Sequence, residues 1–190
     1  MSAPHTPTAG PASEADDLRA RLEQLRILVL DPTFEYPTFA DLVLAHGCDY
    51  APAPWPAGAH PRLLGDCFTA AHRWADREGW TYCEGYALAA DPLTGAFEHA
   101  WCLTPDGHVA DPAAPDGWTL AYRGIPLTDV FRRAHVRDGD AVITFGHDLL
   151  GGPNIAVLRD GLPDAALAAS DSHAAATTPG RRPSTAPREG

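Results

Sequence analysis

No lysine occurs anywhere in the 190 residues. That excludes a Schiff-base lysine and a phosphate-loop lysine. Serine is missing from Glu14 through Ala169, so the folded part holds no serine nucleophile. Gln24 and Asn154 are the only carboxamide side chains. A catalytic triad here needs Asp or Glu as its third member, and a side-chain amide for an oxyanion has just those two candidates. Basic charge is scarce, with 14 Arg against 25 Asp and Glu and a net charge of −11 at pH 7. A basic groove for phosphates is excluded, so no nucleic-acid partner is expected. No apolar run is long enough to span a bilayer, so no membrane partner is expected. The start, MSAPHTPTAGPASEADD, has neither a basic n-region nor an apolar h-region and does not read as a signal peptide. A cytoplasmic location follows, with Cys48, Cys67, Cys83 and Cys102 as reduced thiols rather than a disulfide framework.

The chain has a length that suits one domain with tails. Residues 1–13 are rich in Pro, Ala and Thr, and residues 163–190 in Ala, Ser, Thr, Pro and Arg. Both are expected to be disordered, leaving one domain over 14–162. Leu18, Leu22, Leu25 and Val29 recur at helical spacing, which predicts a helix to about Leu30, ended by Asp31-Pro32. A second helix is predicted over Thr38 to His46, followed by a Pro-rich connector whose Trp55 is read as a packing residue. Asp66 caps a third helix bearing Phe68, Ala71, Trp74 and Ala75 on its buried stripe and ending at Gly79. WTYCEGYALA, FEHAWCLT and HVADP then read as three strands, the last two joined by a Pro105-Asp106-Gly107 turn. Further on, Thr119 to Leu127 and Gly139 to Phe145 read as strands. Between them runs a helix to His135, with Val130, Phe131 and Ala134 inward. IAVLRDG reads as a last edge segment. The fold class is therefore α+β, a helix packed on an antiparallel sheet.

Three residues inside this frame carry chemistry. Cys67 opens the third helix, where the positive end of the helix dipole and free N–H groups favour a thiolate and can hold an oxyanion. His99 shares a strand face with Trp101, while Ala100 and Cys102 share the other. If His99 faces the Cys67 helix, Cys102 does not. Across the hairpin, Asp111 can stand beside His99 and hold its imidazole, whereas His108 has the wrong parity. Glu84 shares parity with Tyr82 and Tyr86 and is placed at the flank of the cleft, where it would meet a cationic substrate group. Tyr122 and Gly124 are placed on its far side. His147-Asp148 is a second, weaker polar pair. Zinc held by Cys67, Cys83, His99 and Cys102 is the rival chemistry. No CxxC or HxxxH spacing supports it, and parity splits His99 from Cys102, so no metal and no other cofactor is expected.

The segment resembles the transglutaminase-like core within the papain-like cysteine enzymes. The likeness lies in Cys67 at a helix start, Gly85-Tyr86 in a strand, His99-Ala100-Trp101 in the next, and Asp111-Pro112 after it. It implies a papain-like fold in which Cys67 is nucleophile, His99 general base and Asp111 the orienting acid. The candidate substrate contacts in the cleft are Glu84, Tyr86, Trp101 and Tyr122. The expected function is a cysteine-dependent hydrolase or acyl transferase. It would act on a peptide or small-molecule amide, ester or thioester through an acyl-enzyme. The alternative is a catalytically silent scaffold of the same fold acting as a binding or accessory protein.

Overall fold

The computed structural model describes residues 13–56, 58, 60–61, 65–136, 141–144 and 155–168. Among them are five α-helices and one five-stranded antiparallel sheet, an α+β arrangement. Helix α1 (Glu14–Leu25) starts from a reciprocal cap, in which the Asp16 N–H donates to Ser13 Oγ and the Ser13 N–H donates to the Asp16 carboxylate. Leu18 and Leu22 on its inner stripe are fully buried. The helix stops five residues before Leu30, because the Leu30 N–H turns to the Pro37 carbonyl. Ile27 and Leu28 are thereby left 81% and 64% exposed. Helix α2 (Phe39–His46) is capped by Thr38, which accepts from the Asp41 N–H. A strand that the residue pattern is too short to announce, β1 (Cys48–Tyr50), follows.

Helix α3 (Cys67–Glu78) ends at Gly79, whose φ of 69° is the left-handed conformation glycine adopts without a Cβ penalty. Strands β2 (Thr81–Ala89), β3 (Ala96–Leu103), β4 (Val109–Ala110) and β5 (Thr119–Pro126) complete the sheet in the order β1-β5-β2-β3-β4. The register gives it two distinct faces. On one, Tyr82, Glu84, Tyr86, Ala100, Cys102 and Ile125 meet the helices. On the other, Cys83, Ala87, Trp101, Leu103, Val109 and Tyr122 form a second cluster. His99, Gly85, Gly124 and Cys48 stand in one row across four strands of this second face. The two glycines keep that row low. A Cβ on Gly124 would lie 2.4 Å from the Trp101 ring, and one on Gly85 would lie 2.2 Å from the Arg123 carbonyl oxygen. Trp101 therefore reaches across the neighbouring strand to β5, and its side chain is fully buried.

Three segments differ from the sequence pattern. Residues 141–144 are not a strand. Val142, Ile143 and Thr144 turn their N–H groups onto the buried Glu84 carboxylate at 2.5, 2.6 and 3.0 Å. IAVLRDG forms helix α5 (Ile155–Asp160), burying Val157 and Leu158, rather than an edge strand. Helix α4 (Asp129–His135) lies where expected, but Val130 points outward at 82% exposure. Residues 163–168 pack on the body. A 3-10 turn at Asp164–Ala166 buries Ala166, the Thr128 N–H donates to the Ala166 carbonyl at 2.8 Å, and Leu167 bridges Leu127. No helix among the described residues is long and apolar enough to cross a membrane.

Candidate active site

Strand β4 pairs with β3 only at Cys102 and Leu103. Beyond that point the β3 edge is open to other partners, and His99 sits there at 3% exposure. The chain leaving β4 turns at once. Asp111 Oδ1 accepts the N–H groups of Ala113 and Ala114 at 2.9 and 3.0 Å, an Asp-initiated turn that locks the carboxylate. Its other oxygen, Oδ2, accepts His99 Nε2–H at 2.7 Å and the Tyr122 hydroxyl at 2.8 Å. With Nε2 so occupied, Nδ1 is left to other partners, and the Cys67 thiol stands close enough to the ring to raise its proton affinity. Cys67 is the first residue of α3 and is partly exposed, as is Cys48, while Cys83 and Cys102 are buried. His99 is thus hydrogen-bonded to Asp111 and feels Cys67 electrostatically, which brings the three residues to one place.

The approach of α3 differs from the parity argument. The body of the helix lies on the Cys102 face, where Cys102 Sγ–H donates to the Ala71 carbonyl at 3.3 Å. His99 belongs to the opposite face, its ring close to those of Phe97, Trp101 and Tyr122. It meets α3 only at the helix tip, around the open edge of β3. Parity holds along each strand, but it does not decide what reaches round an edge.

Electrostatics couple the pair. Burial disfavours the His99 imidazolium. The adjoining Asp111 carboxylate more than offsets it, and His99 holds its proton well above the ordinary histidine range. Asp111 is likewise penalised by burial. The positive His99, the Ala113 N–H and the Tyr122 hydroxyl outweigh that penalty and hold it below the usual carboxylate range. Burial beside Asp111 pushes the Tyr122 phenol up, so it serves as a donor. The pair's stabilisation has a defined window. The His99 part is complete below its ordinary 6.5 and is lost as pH rises toward about 10. The Asp111 part is complete above 3.8 and is lost as pH falls through its lowered folded value. Exchanging Asp111 for Asn removes the larger part of what raises His99 and leaves the burial that lowers it, against the smaller upward pull of Cys67. His99 in that variant is expected to titrate well below its wild-type value by NMR. The loss of thermal stability should be widest between about pH 4 and 6.5 and should shrink toward pH 10.

The four residues expected to touch substrate fall elsewhere. Glu84 does not flank a cleft. It is fully buried on the helix face and accepts the Tyr82 hydroxyl at 2.5 Å besides the three N–H groups of 142–144. Burial raises its pKa, and those four donors pull the other way. Tyr86 is on that same helix face, opposite His99. Trp101 and Tyr122 are on the His99 face but are buried as support. Trp101 lies 6.3 Å from the His99 ring, and Tyr122 is tied to Asp111 and Thr119.

One contributor, His60, had no sequence signal beyond its residue type, whereas Trp55 is the packing residue expected. His60, at the end of the Pro-rich connector, donates to the Asp111 backbone carbonyl at 2.8 Å. Trp55 braces that connector against Trp74 and Trp80. Among the described residues no group of three or more His, Cys, Asp or Glu is arranged to hold a metal ion. His147-Asp148 lies outside the described residues. No family model, curated protein or solved structure matches the chain.

Proposed function

We propose that the chain is a cysteine-dependent acyl hydrolase or acyl transferase with a transglutaminase-like, papain-like core. The observation that carries the reading is the buried His99–Asp111 hydrogen bond, with Cys67 at the tip of a helix and close enough to the imidazole to raise its proton affinity. A raised proton affinity at His99 keeps a positive charge at the site, near the Cys67 sulfur. In the proposed reaction, Sγ attacks the carbonyl carbon of an amide, ester or thioester. The negative charge passes to the carbonyl oxygen. The Asp66 side chain makes no capping bond to α3. The positive helix tip is thereby left to stabilise that oxygen. His99 gives its proton to the leaving group as the carbonyl reforms, leaving an acyl-thioester on Cys67. Water, deprotonated by His99, or an amine then releases the acyl group and restores the thiol. Asp111 stays ionised throughout and holds the ring. Tyr122 and the turn at Ala113-Ala114 hold Asp111.

The test is a panel of amides, esters and thioesters with wild type and Cys67→Ala. Turnover that falls by at least a thousandfold in Cys67→Ala, with a trapped acyl adduct on Cys67 by mass spectrometry, supports the reading. Turnover that survives the substitution, or no adduct with any acyl donor, sinks it.

A further inference from the structure

Tyr122 reaches Asp111 from two strands away. It lies on β5, and β2 runs between β5 and the strand of His99. On the face they share, β2 carries Ala87 opposite Tyr122 and Gly85 opposite His99. These small residues let the phenol ring cross the strand, and its hydroxyl donates to Asp111 Oδ2 at 2.8 Å. The same oxygen accepts His99 Nε2–H at 2.7 Å, while Oδ1 is taken up by the N–H groups of Ala113 and Ala114. The one carboxylate oxygen that meets the histidine is therefore shared with a second donor. Thr119 Oγ1 stands against the Tyr122 hydroxyl oxygen. The single phenol hydrogen is spent on Asp111, so Thr119 is the donor to Tyr122. Thr119, Tyr122 and Asp111 form a chain of hydrogen bonds in which each link polarises the next. All three are buried, Tyr122 at 2% exposure. A Phe would fill the same place beside Trp101, whose ring lies 5.0 Å away. Packing therefore does not account for the hydroxyl.

We infer that Tyr122 is a positioning residue that draws charge off Asp111 Oδ2 and so keeps His99 able to release its proton to a leaving group. A carboxylate bonded to a buried imidazole holds the ring's proton, and an acid that holds its proton too tightly is a poor general acid. A second donor on the same oxygen moderates that hold. Against its burial, Asp111 is kept low by His99, the Ala113 N–H and the Tyr122 hydroxyl together. The other titratable groups around the pair are Cys67 at the α3 tip, Cys102 on β3, Asp116 before β5, and His60, which bonds the Asp111 backbone carbonyl. Among the described residues, only His99 and Tyr122 donate to Oδ2. The catalytic part of the inference rests on the acyl-transfer reading above. There, Nε2–H stays on Asp111, and Nδ1–H passes to the leaving nitrogen or oxygen as its bond to the acyl carbon breaks. An amine leaving from an amide needs that proton, whereas a nitrophenolate leaves without it. Tyr122 thus matters most for amides.

Two variants test it. Tyr122→Phe removes the hydroxyl and keeps the ring. Thr119→Val keeps the phenol and removes the bond that polarises it. The first readout is the NMR resonance of His99 Nε2–H together with the titration of the ring. In Tyr122→Phe the resonance is expected downfield of wild type, with His99 titrating about half a pH unit higher or more, because Oδ2 then serves the histidine alone. Thr119→Val should move both the same way by less. Mere loss of packing does the opposite: it loosens the His99–Asp111 contact, moves the resonance upfield and lowers the proton affinity. The second readout is turnover of an amide and a nitrophenyl ester of one acyl group. Tyr122→Phe is expected to lower the amide-to-ester rate ratio by about twofold or more. A thermal melt reports folding, and if Tyr122→Phe does not fold, Thr119→Val decides. A resonance that stays in place or moves upfield in a folded variant overturns the inference, and so does an amide-to-ester ratio equal to that of wild type. If wild type turns over no acyl donor, the acyl-transfer reading falls, and the resonance still decides whether Tyr122 tunes the pair.

Discussion

Replacing His99 with Ala is expected to slow alkylation of Cys67 at pH 7 by about ten- to a hundredfold, with Cys48 unaffected. The thiol of Cys67 acts electrostatically on the His99 ring, and Asp111 keeps that ring protonated. Deleting the ring removes the buried positive charge and the proton acceptor beside the Cys67 sulfur. Asp111 then loses one partner on Oδ2 but keeps Tyr122 there, and keeps the two N–H groups on Oδ1. The turn after β4 should survive, so the effect is on reactivity first. Peptide mass spectrometry after timed labelling reads both cysteines in one sample. Equal Cys67 rates in the two proteins would show that the histidine does not activate the thiol.

The second large effect concerns stability. Glu84 gathers four donors in a site without solvent: the Tyr82 hydroxyl and the N–H groups of Val142, Ile143 and Thr144. Glu84→Ala leaves those donors without their acceptor and opens a space in the core. The expected cost is about 3–5 kcal/mol by chemical denaturation, limited by the ability of residues 141–144 to peel away into water. Peeling has its own signature. The amides of Val142 and Ile143 should exchange faster than those of β2 and β3. Glu84→Gln keeps one acceptor oxygen and should cost about half as much. A loss under about 1 kcal/mol in Glu84→Ala would mean that the carboxylate is not what fastens this segment.

Much of this was legible in the chain itself. The periodicity of Leu18 and Leu22 places the body of α1, though not its end, and the Asp66-Cys67 boundary and Gly79 place both ends of α3. Strand parity brings Asp111 to the side of His99, because alternation along a strand and the pairing of Cys102 with Ala110 are local facts. What the pattern could not supply is long-range. Glu84 looks like an exposed charge until residues some sixty positions later fold onto it. IAVLRDG suits a strand or a helix equally, and burial of Val157 and Leu158 decides for the helix. Tyr122 has the alternation of a strand residue, but its hydroxyl partners, Asp111 and Thr119, come from the folded arrangement. The apolar run Ile27 to Leu30 reads as the continuation of a buried stripe. A single backbone bond from Leu30 to Pro37 turns it outward and makes it the rim of a cavity.

The central claim is that the tip of α3 and the His99–Asp111 pair make Cys67 a nucleophile. The most direct measurement is the rate of iodoacetamide labelling of Cys67 in the wild-type protein at pH 7, beside Cys48 and free cysteine. The predicted result is labelling of Cys67 at least tenfold faster than both. Labelling of Cys67 no faster than that of free cysteine would contradict the account.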